Sequence, residues 1–207
     1  MLARVSNIEA YRQWKNWQPL FEGQEEPTIE DLVRFITVDE PSEAMKAGTA
    51  FHKAIETAGD GSHDAFEANG YRFILPDADL ALPTTREMRA FGNYGALNVT
   101  GQVDAVEGRI VTDHKTTGKF DPERYLNGCQ WKFYLDIFDA NEFRWNVFVL
   151  KELEPQTYAV AAPQSLTAYR YPEMHEHCEE LAADYLAFAR VHLREKIPEA
   201  VRLLMAG

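Results

Sequence analysis

Asp104, Asp113 and Lys115 are the residues best equipped to do chemistry, and they fall in one short run, Gly101-Gln102-Val103-Asp104-Ala105-Val106-Glu107-Gly108-Arg109-Ile110-Val111-Thr112-Asp113-His114-Lys115. Two carboxylates and an ammonium at close quarters could hold a hard cation against the non-bridging oxygens of a phosphodiester and direct a water at phosphorus. Apolar and β-branched residues on either side of Glu107-Gly108 predict an antiparallel hairpin with that pair as a two-residue turn. In that register Val106 faces Arg109 and Asp104 faces Val111. Side chains alternate along a strand, so Val111, Asp113 and Lys115 share a face with Asp104. Asp113 becomes its diagonal neighbour, roughly 7–8 Å away between backbones. The competing reading is a polar hairpin face carrying a surface salt bridge, and Asp-x-Lys spacing alone does not separate the two.

Helical spacing brings in further side chains. Gln130 and Tyr134 stand four residues apart, as do Gly48, His52 and Glu56, so each set lies on one face of a helix. His52, beside Phe51 and Ile55, also fits a helix interior, and Gln130 and Tyr134 could cap and pack their helix. The succession Gly-x-x-x-His, Gly-x-x-Asp, Asp-x-Lys-Thr, Gln-x-x-x-Tyr resembles the RecB-type branch of the PD-(D/E)xK nucleases, over roughly residues 42 to 134, well over a third of the chain.

The resemblance implies a restriction-endonuclease-like α/β core, a mixed central β-sheet flanked by helices. It makes His52, Asp104 and Asp113 the side-chain ligands of Mg2+ or Mn2+, with the His114 carbonyl as a further ligand, and Lys115 the catalytic lysine. Gln130, Tyr134, Thr116 and Lys119 become substrate-side residues, close to the metal and the DNA backbone. Glu56 enters on helical spacing alone, and Glu87, ahead of the hairpin, stands where relatives often carry a glutamate. The expected activity is a metal-dependent DNA exonuclease of recombination, repair or phage DNA metabolism. A structure- or sequence-specific endonuclease on the same scaffold and a non-catalytic DNA-binding module are the competing classes.

Two other clusters look like metal sites and are set aside. His175 and His177, next to Cys178, start a long amphipathic helix on which i and i+2 do not face each other. Asp60-Gly61-Ser62-His63-Asp64 begins like a calcium loop, but Ala65 and Tyr71 stand where the loop needs glycine and glutamate.

At 207 residues and 45% hydrophobic, the chain is long enough for one sizeable core. It is expected to form a single nuclease domain: an N-terminal helical segment over 1–41, the core over 42–165 and a C-terminal helix over 166–207. No apolar run approaches the ~20 residues of a membrane span. Met1-Leu2-Ala3-Arg4 reads as the approach to a helix rather than a signal peptide, which makes the cytoplasm the expected location. Cys129 and Cys178 are too few for the iron–sulfur cluster of some relatives, so none is expected. The formal charge of −12 argues against coating nucleic acid electrostatically, but a basic track can be local. Lys115, Lys119, Arg124 and Lys132 surround the motifs, with Arg12, Lys15, Lys46 and Lys53 as further candidates. No Gly-x-x-x-x-Gly-Lys-Ser/Thr loop is present, so unwinding or annealing of DNA would come from a helicase or a single-strand annealing protein.

Around these motifs the pattern predicts a first helix from Ser6, capped by a Ser6–Glu9 box, with Ile8, Tyr11 and Trp14 as its apolar stripe. A short helix follows at 29–36, then one from Ser42 that bears His52 and buries Ala44, Met45, Phe51 and Ile55. Residues 59–69 read as a loop, and strands are expected at 71–75, 86–91, 97–106 and 109–115. Asp121-Pro122 starts a helix, with Gly128 moving its true beginning toward Asn127. A strand buried on both faces is expected at 143–150, another at 157–162, and a last helix from Glu173 to Lys196.

Overall fold

The computed structural model describes residues 1–19, 21–38, 40–58, 65–75 and 87–193. The chain runs β1 (Leu2–Arg4), α1 (Val5–Lys15), α2 (Ile29–Thr37), α3 (Glu43–Ala58), β2 (Ala65–Ala68), β3 (Tyr71–Ile74), β4 (Met88–Tyr94), β5 (Leu97–Val103), β6 (Ala105–Glu107) and β7 (Ile110–Thr117). It continues with α4 (Pro122–Leu126), α5 (Gln130–Ile137), β8 (Glu142–Glu154), β9 (Thr157–Val160), β10 (Gln164–Tyr169) and α6 (Met174–His192). This is an α/β fold with mixed sheets flanked by helices. The small sheet has the order β1-β5-β4, and the larger has seven strands in the order β2-β3-β9-β8-β7-β6, with β10 also on β8.

β8 organises the larger sheet. Its first half lies parallel to β7 and antiparallel to β10, and its second half turns onto β9. Alternation divides its side chains between two cores. Phe143, Trp145 and Val147 join the cluster under α1, α5 and α6, whereas Phe148 joins Phe51, Phe73 and Val160 under α3. Helices therefore cover both faces. The strand is not buried on both faces throughout: Arg144 is exposed and paired with Glu142, so the face opposite Trp145 is open there.

Several expectations need correcting. Leu2–Arg4 is a strand, since β5 offers a parallel edge that pairs Ala3 with Val99. The Ser6–Glu9 box does not form: α1 starts at Val5 with no side-chain cap, because the Glu9 carboxylate bonds elsewhere. Ala44 and Met45 are exposed, as they precede the part of α3 that crosses the sheet, although Ser42 does cap that helix by accepting from Met45 N at 3.3 Å. Ala65–Ala68, expected as loop, pairs with β3, and β10 was not anticipated. Asp121 caps α4 with Pro122 in its first turn, and Asn127-Gly128-Cys129 separate that helix from α5. Residues 59–64, with the rejected calcium-like loop, Arg86 and the end of the last helix beyond Leu193 lie outside the described residues.

The hairpin differs most informatively. The pairs are Ala105 with Thr112, Val106 with Val111 and Glu107 with Ile110, so the turn is Gly108-Arg109 rather than Glu107-Gly108. Gly108 takes φ 59°, the left-handed value that the first residue of such a turn requires. The register slips by two residues, an even number, so every side chain keeps its face.

Candidate active site

Asp104 is the corner of the fold. The stretch expected as one strand over 97–106 breaks there: β5 belongs to the small sheet and β6 to the large one. β6 is only three residues long, which leaves the edge of β7 beyond Thr112 without a strand partner. The Asp104 carboxylate covers that edge, its Oδ2 accepting a short hydrogen bond from the His114 backbone N–H. A strand residue's N–H and C=O leave on the same edge, which puts the His114 carbonyl beside Asp104 as well.

From this corner the neighbours follow. Asp113 and Lys115 sit on the α5 face of β7, and Lys115 Nζ lies 2.6 Å from Asp113 Oδ2. Asp113 is 5% exposed and Asp104 8%, while the Lys115 side chain retains 32% of its exposure with its ammonium turned in on Asp113, so the carboxylates are floor and the lysine stem borders the solvent. His52 arrives from the opposite face on α3, with Nδ1 3.5 Å from Asp104 Oδ1. Gly48 permits that approach, since a Cβ there would sit 2.8 Å from Thr116 Oγ1. Tyr134 comes from α5, its ring stacked on Phe143 at 5.9 Å and held against Gly101, where an added Cβ would lie 2.9 Å from the ring.

The charges are strongly coupled. Burial pushes the Asp113 carboxyl up; Lys115 draws it back and the Asp104 charge adds to the push, leaving it above the ordinary range. For Asp104 burial acts in the same sense, but His52 and the His114 N–H outweigh it and hold the carboxyl below its usual value. Burial disfavours the Lys115 ammonium, yet Asp113, Tyr134 and Asp104 more than offset this, so it stays charged. Burial also pushes the Tyr134 phenol up, with Asp113 adding to it. The His114 ring is buried between Phe148, edge-on at 6.2 Å, and the His52 ring at 6.4 Å, and burial holds its pKa down, while its backbone N–H serves Asp104.

The remaining sequence candidates are placed as follows. Gln130 starts α5 and lines a cavity of about 160 Å³ that Lys115 also lines. Thr116 lines the same cavity, but its hydroxyl lies against α3. Lys119 is exposed, its backbone N and O tied to the Thr117 hydroxyl, and is not gathered into the site. Glu56 is held by Lys53 at 3.0 Å, a helical turn beyond His52, and Glu87 is an exposed residue just ahead of β4. Of the basic residues named as additions, Arg12, Lys15, Lys46 and Lys53 are all engaged by acids of the chain, so they do not form a free basic track. His175 bonds Asp136 at 2.8 Å and His177 bonds Tyr171 at 2.8 Å, in different directions as their spacing requires.

Glu9 was missed as a site residue. It is 7% exposed, and its Oε2 accepts from the backbone N–H of Cys129 and, at 3.2 Å, of Gln130, so a carboxylate from α1 caps α5. Its Oε1 takes Arg12 at 2.8 Å and Gln13 at 2.9 Å. The signal was present: Glu9 lies four residues after Val5 on the buried face of α1, with Arg12 three residues on.

Among the described residues, no group of three or more His, Cys, Asp and Glu side chains is arranged to hold a metal ion. The side chains stand instead in two pairs, His52 with Asp104 and Asp113 with Lys115, the lysine being a counter-charge and no ligand. Chemically they suit a hard cation, being two buried carboxylates of like charge with an imidazole and an edge carbonyl beside them. Among the described residues no helix is long and apolar enough to cross a membrane.

No family model and no curated protein matches this chain. Among solved structures, one described as the crystal structure of SSO0001 superposes with a TM-score of 0.49 at 15% identity, covering 90% of this chain and 75% of that one. A likeness at that level carries no argument about function.

Proposed function

We propose that this chain is a magnesium- or manganese-dependent deoxyribonuclease of the PD-(D/E)xK type, acting as an exonuclease in recombination, repair or phage DNA metabolism. The observation that carries the reading is the corner at Asp104, where a break between two sheets gathers Asp113 and Lys115 from β7, His52 from α3 and Tyr134 from α5. A salt bridge on a polar hairpin face needs neither a buried second carboxylate nor two helices converging on it. His52, Asp104, Asp113 and the His114 carbonyl would hold the cation, which when bound supplies positive charge to the non-bridging oxygens of the scissile phosphate. Lys115, charged and held by Asp113, donates a hydrogen bond that orients the attacking water. Gln130 and Tyr134 steady the strand backbone from α5. A new bond then forms between the water oxygen and phosphorus as the bond to the leaving 3′ oxygen breaks, the water giving up a proton to solvent and the leaving oxygen taking one from it, and by the family resemblance the cut end carries a 5′-phosphate. A helicase would supply unwinding, or a single-strand annealing protein the annealing, since this chain carries no Gly-x-x-x-x-Gly-Lys-Ser/Thr loop.

The test is incubation with end-labelled linear DNA and closed circular DNA in the presence of magnesium or manganese. Release of label from linear DNA with the circle intact is the expected result. Cutting of the circle moves the assignment to an endonuclease, and a folded protein that cleaves neither with either cation overturns the proposal.

A further inference from the structure

Beside Lys115 lies a cavity of about 160 Å³, framed by Arg124, Tyr125, Gln130, Trp131 and Trp145. We propose that it accepts a single unpaired terminal nucleotide of the DNA strand, its phosphate against Arg124 and Lys115 and its base against the aromatic wall; this rests on the nuclease reading and gives it a substrate end.

Size argues first. Pockets that engulf a whole small ligand run to roughly 300–1,000 Å³, so this one is too small for a base pair and admits one base at most, with the sugar and phosphate at its mouth. The walls are preformed. Trp145 is buried and stands edge-on to Trp131 at 6.4 Å, whose indole N–H is fixed on Leu126 O at 3.1 Å, while Tyr125 stacks on Phe120 at 6.1 Å. Rigid aromatic surface receives a base without selecting its sequence. The polar side is left free: among the described residues Arg124 has no ion-pair partner and the Gln130 side-chain amide no hydrogen bond, in a chain of net charge −12 where most basic residues near acids are taken. Arg124 presents a planar fork suited to phosphate oxygens. The Glu9 carboxylate closes the inner end, but Arg12, Gln13 and two backbone N–H groups already engage it, so its charge is tied up. A free strand end therefore meets the cavity with Lys115 already at its margin.

The experiment follows tryptophan fluorescence during titration with 2′-deoxyadenosine 5′-monophosphate, deoxyadenosine and inorganic phosphate without added metal, in a Trp14→Phe/Trp17→Phe background so that Trp131 and Trp145 report. Calorimetry on the parent protein checks the background. The nucleotide is expected to quench saturably, and deoxyadenosine and Arg124→Gln should each weaken binding roughly tenfold or more, the scale of one charge-assisted contact. No saturable binding by either method, or unchanged binding in a folded Arg124→Gln protein, overturns the proposal. Nucleotide binding in a protein that cleaves no DNA would uphold the pocket and remove the nuclease reading; cleavage without nucleotide binding would do the reverse.

Discussion

Gly48→Ala isolates the contact that brings α3, and with it His52, onto β7. Two effects oppose each other. Alanine in a helix interior is favoured over glycine by about 1 kcal/mol. Against this, the new Cβ would stand 2.8 Å from Thr116 Oγ1, closer than real Cβ atoms approach a neighbour. Thr116 cannot swing clear, because it is β-branched and rotation about χ1 brings its methyl group toward the same space. Overpacking of this kind costs about 1–3 kcal/mol, so the single variant should be less stable than the parent by up to about 2 kcal/mol. In a Thr116→Ala background the obstructing atom is gone and only the helix preference remains. There Gly48→Ala should stabilise by about 1 kcal/mol, a reversal of sign. Urea denaturation of the four proteins, with m-values compared so that a change of midpoint reads as a change of stability, measures the cycle. If Gly48→Ala has the same effect in both backgrounds, Gly48 does not act through Thr116 and its place in the Gly-x-x-x-His motif needs another explanation.

Asp113→Ala should abolish cleavage and lower manganese affinity while the protein stays folded, checked by circular dichroism beside the nuclease assay. Lys115→Ala should leave DNA binding near the parent level and slow single-turnover cleavage by roughly 10²-fold or more, and Lys115→Arg should not restore it, since a planar fork replaces a compact ammonium poorly. His52 keeps 31% of its side-chain exposure and fills little of the core, so His52→Ala should cost activity far more than melting temperature. Burial raises the Glu9 carboxyl, but Arg12 and the Cys129 N–H overcome this and leave its pKa below 4.5. A depressed carboxyl contributes stability that is complete above its unfolded value and is lost as pH falls through the folded one. Glu9→Gln should therefore destabilise by about 2–3 kcal/mol near neutrality and flatten the loss of stability below pH 4.5, read from denaturation midpoints across that range.

What the sequence disclosed about this site depended on periodicity, and what it concealed depended on which strand meets which. The shared face of Asp104, Asp113 and Lys115 follows from a repeat of two and survives a turn placed one position early, because the resulting slip moves the ladder by two residues and returns each side chain to its side. Gln130 and Tyr134 follow likewise from a repeat near four. No local repeat reports that a run of strand-forming residues over 97–106 must serve two sheets and break at its aspartate. That break is a tertiary event: β5 is claimed on both edges by β1 and β4, leaving only Ala105–Glu107 to pair with β7. Glu9 was obscured for the same reason. Its carboxylate was assigned to the nearest N-terminus in sequence, that of α1, while the N-terminus it caps is about 120 residues away on α5. Thr116 lines the same cavity as Lys115, while the alternation that turns Lys115 toward α5 turns the Thr116 hydroxyl toward Gly48, so one residue borders both α3 and the cavity. The motif residues were legible because each is set by its own element. The corner that makes neighbours of them is set by competition for strand edges, which only the folded chain resolves.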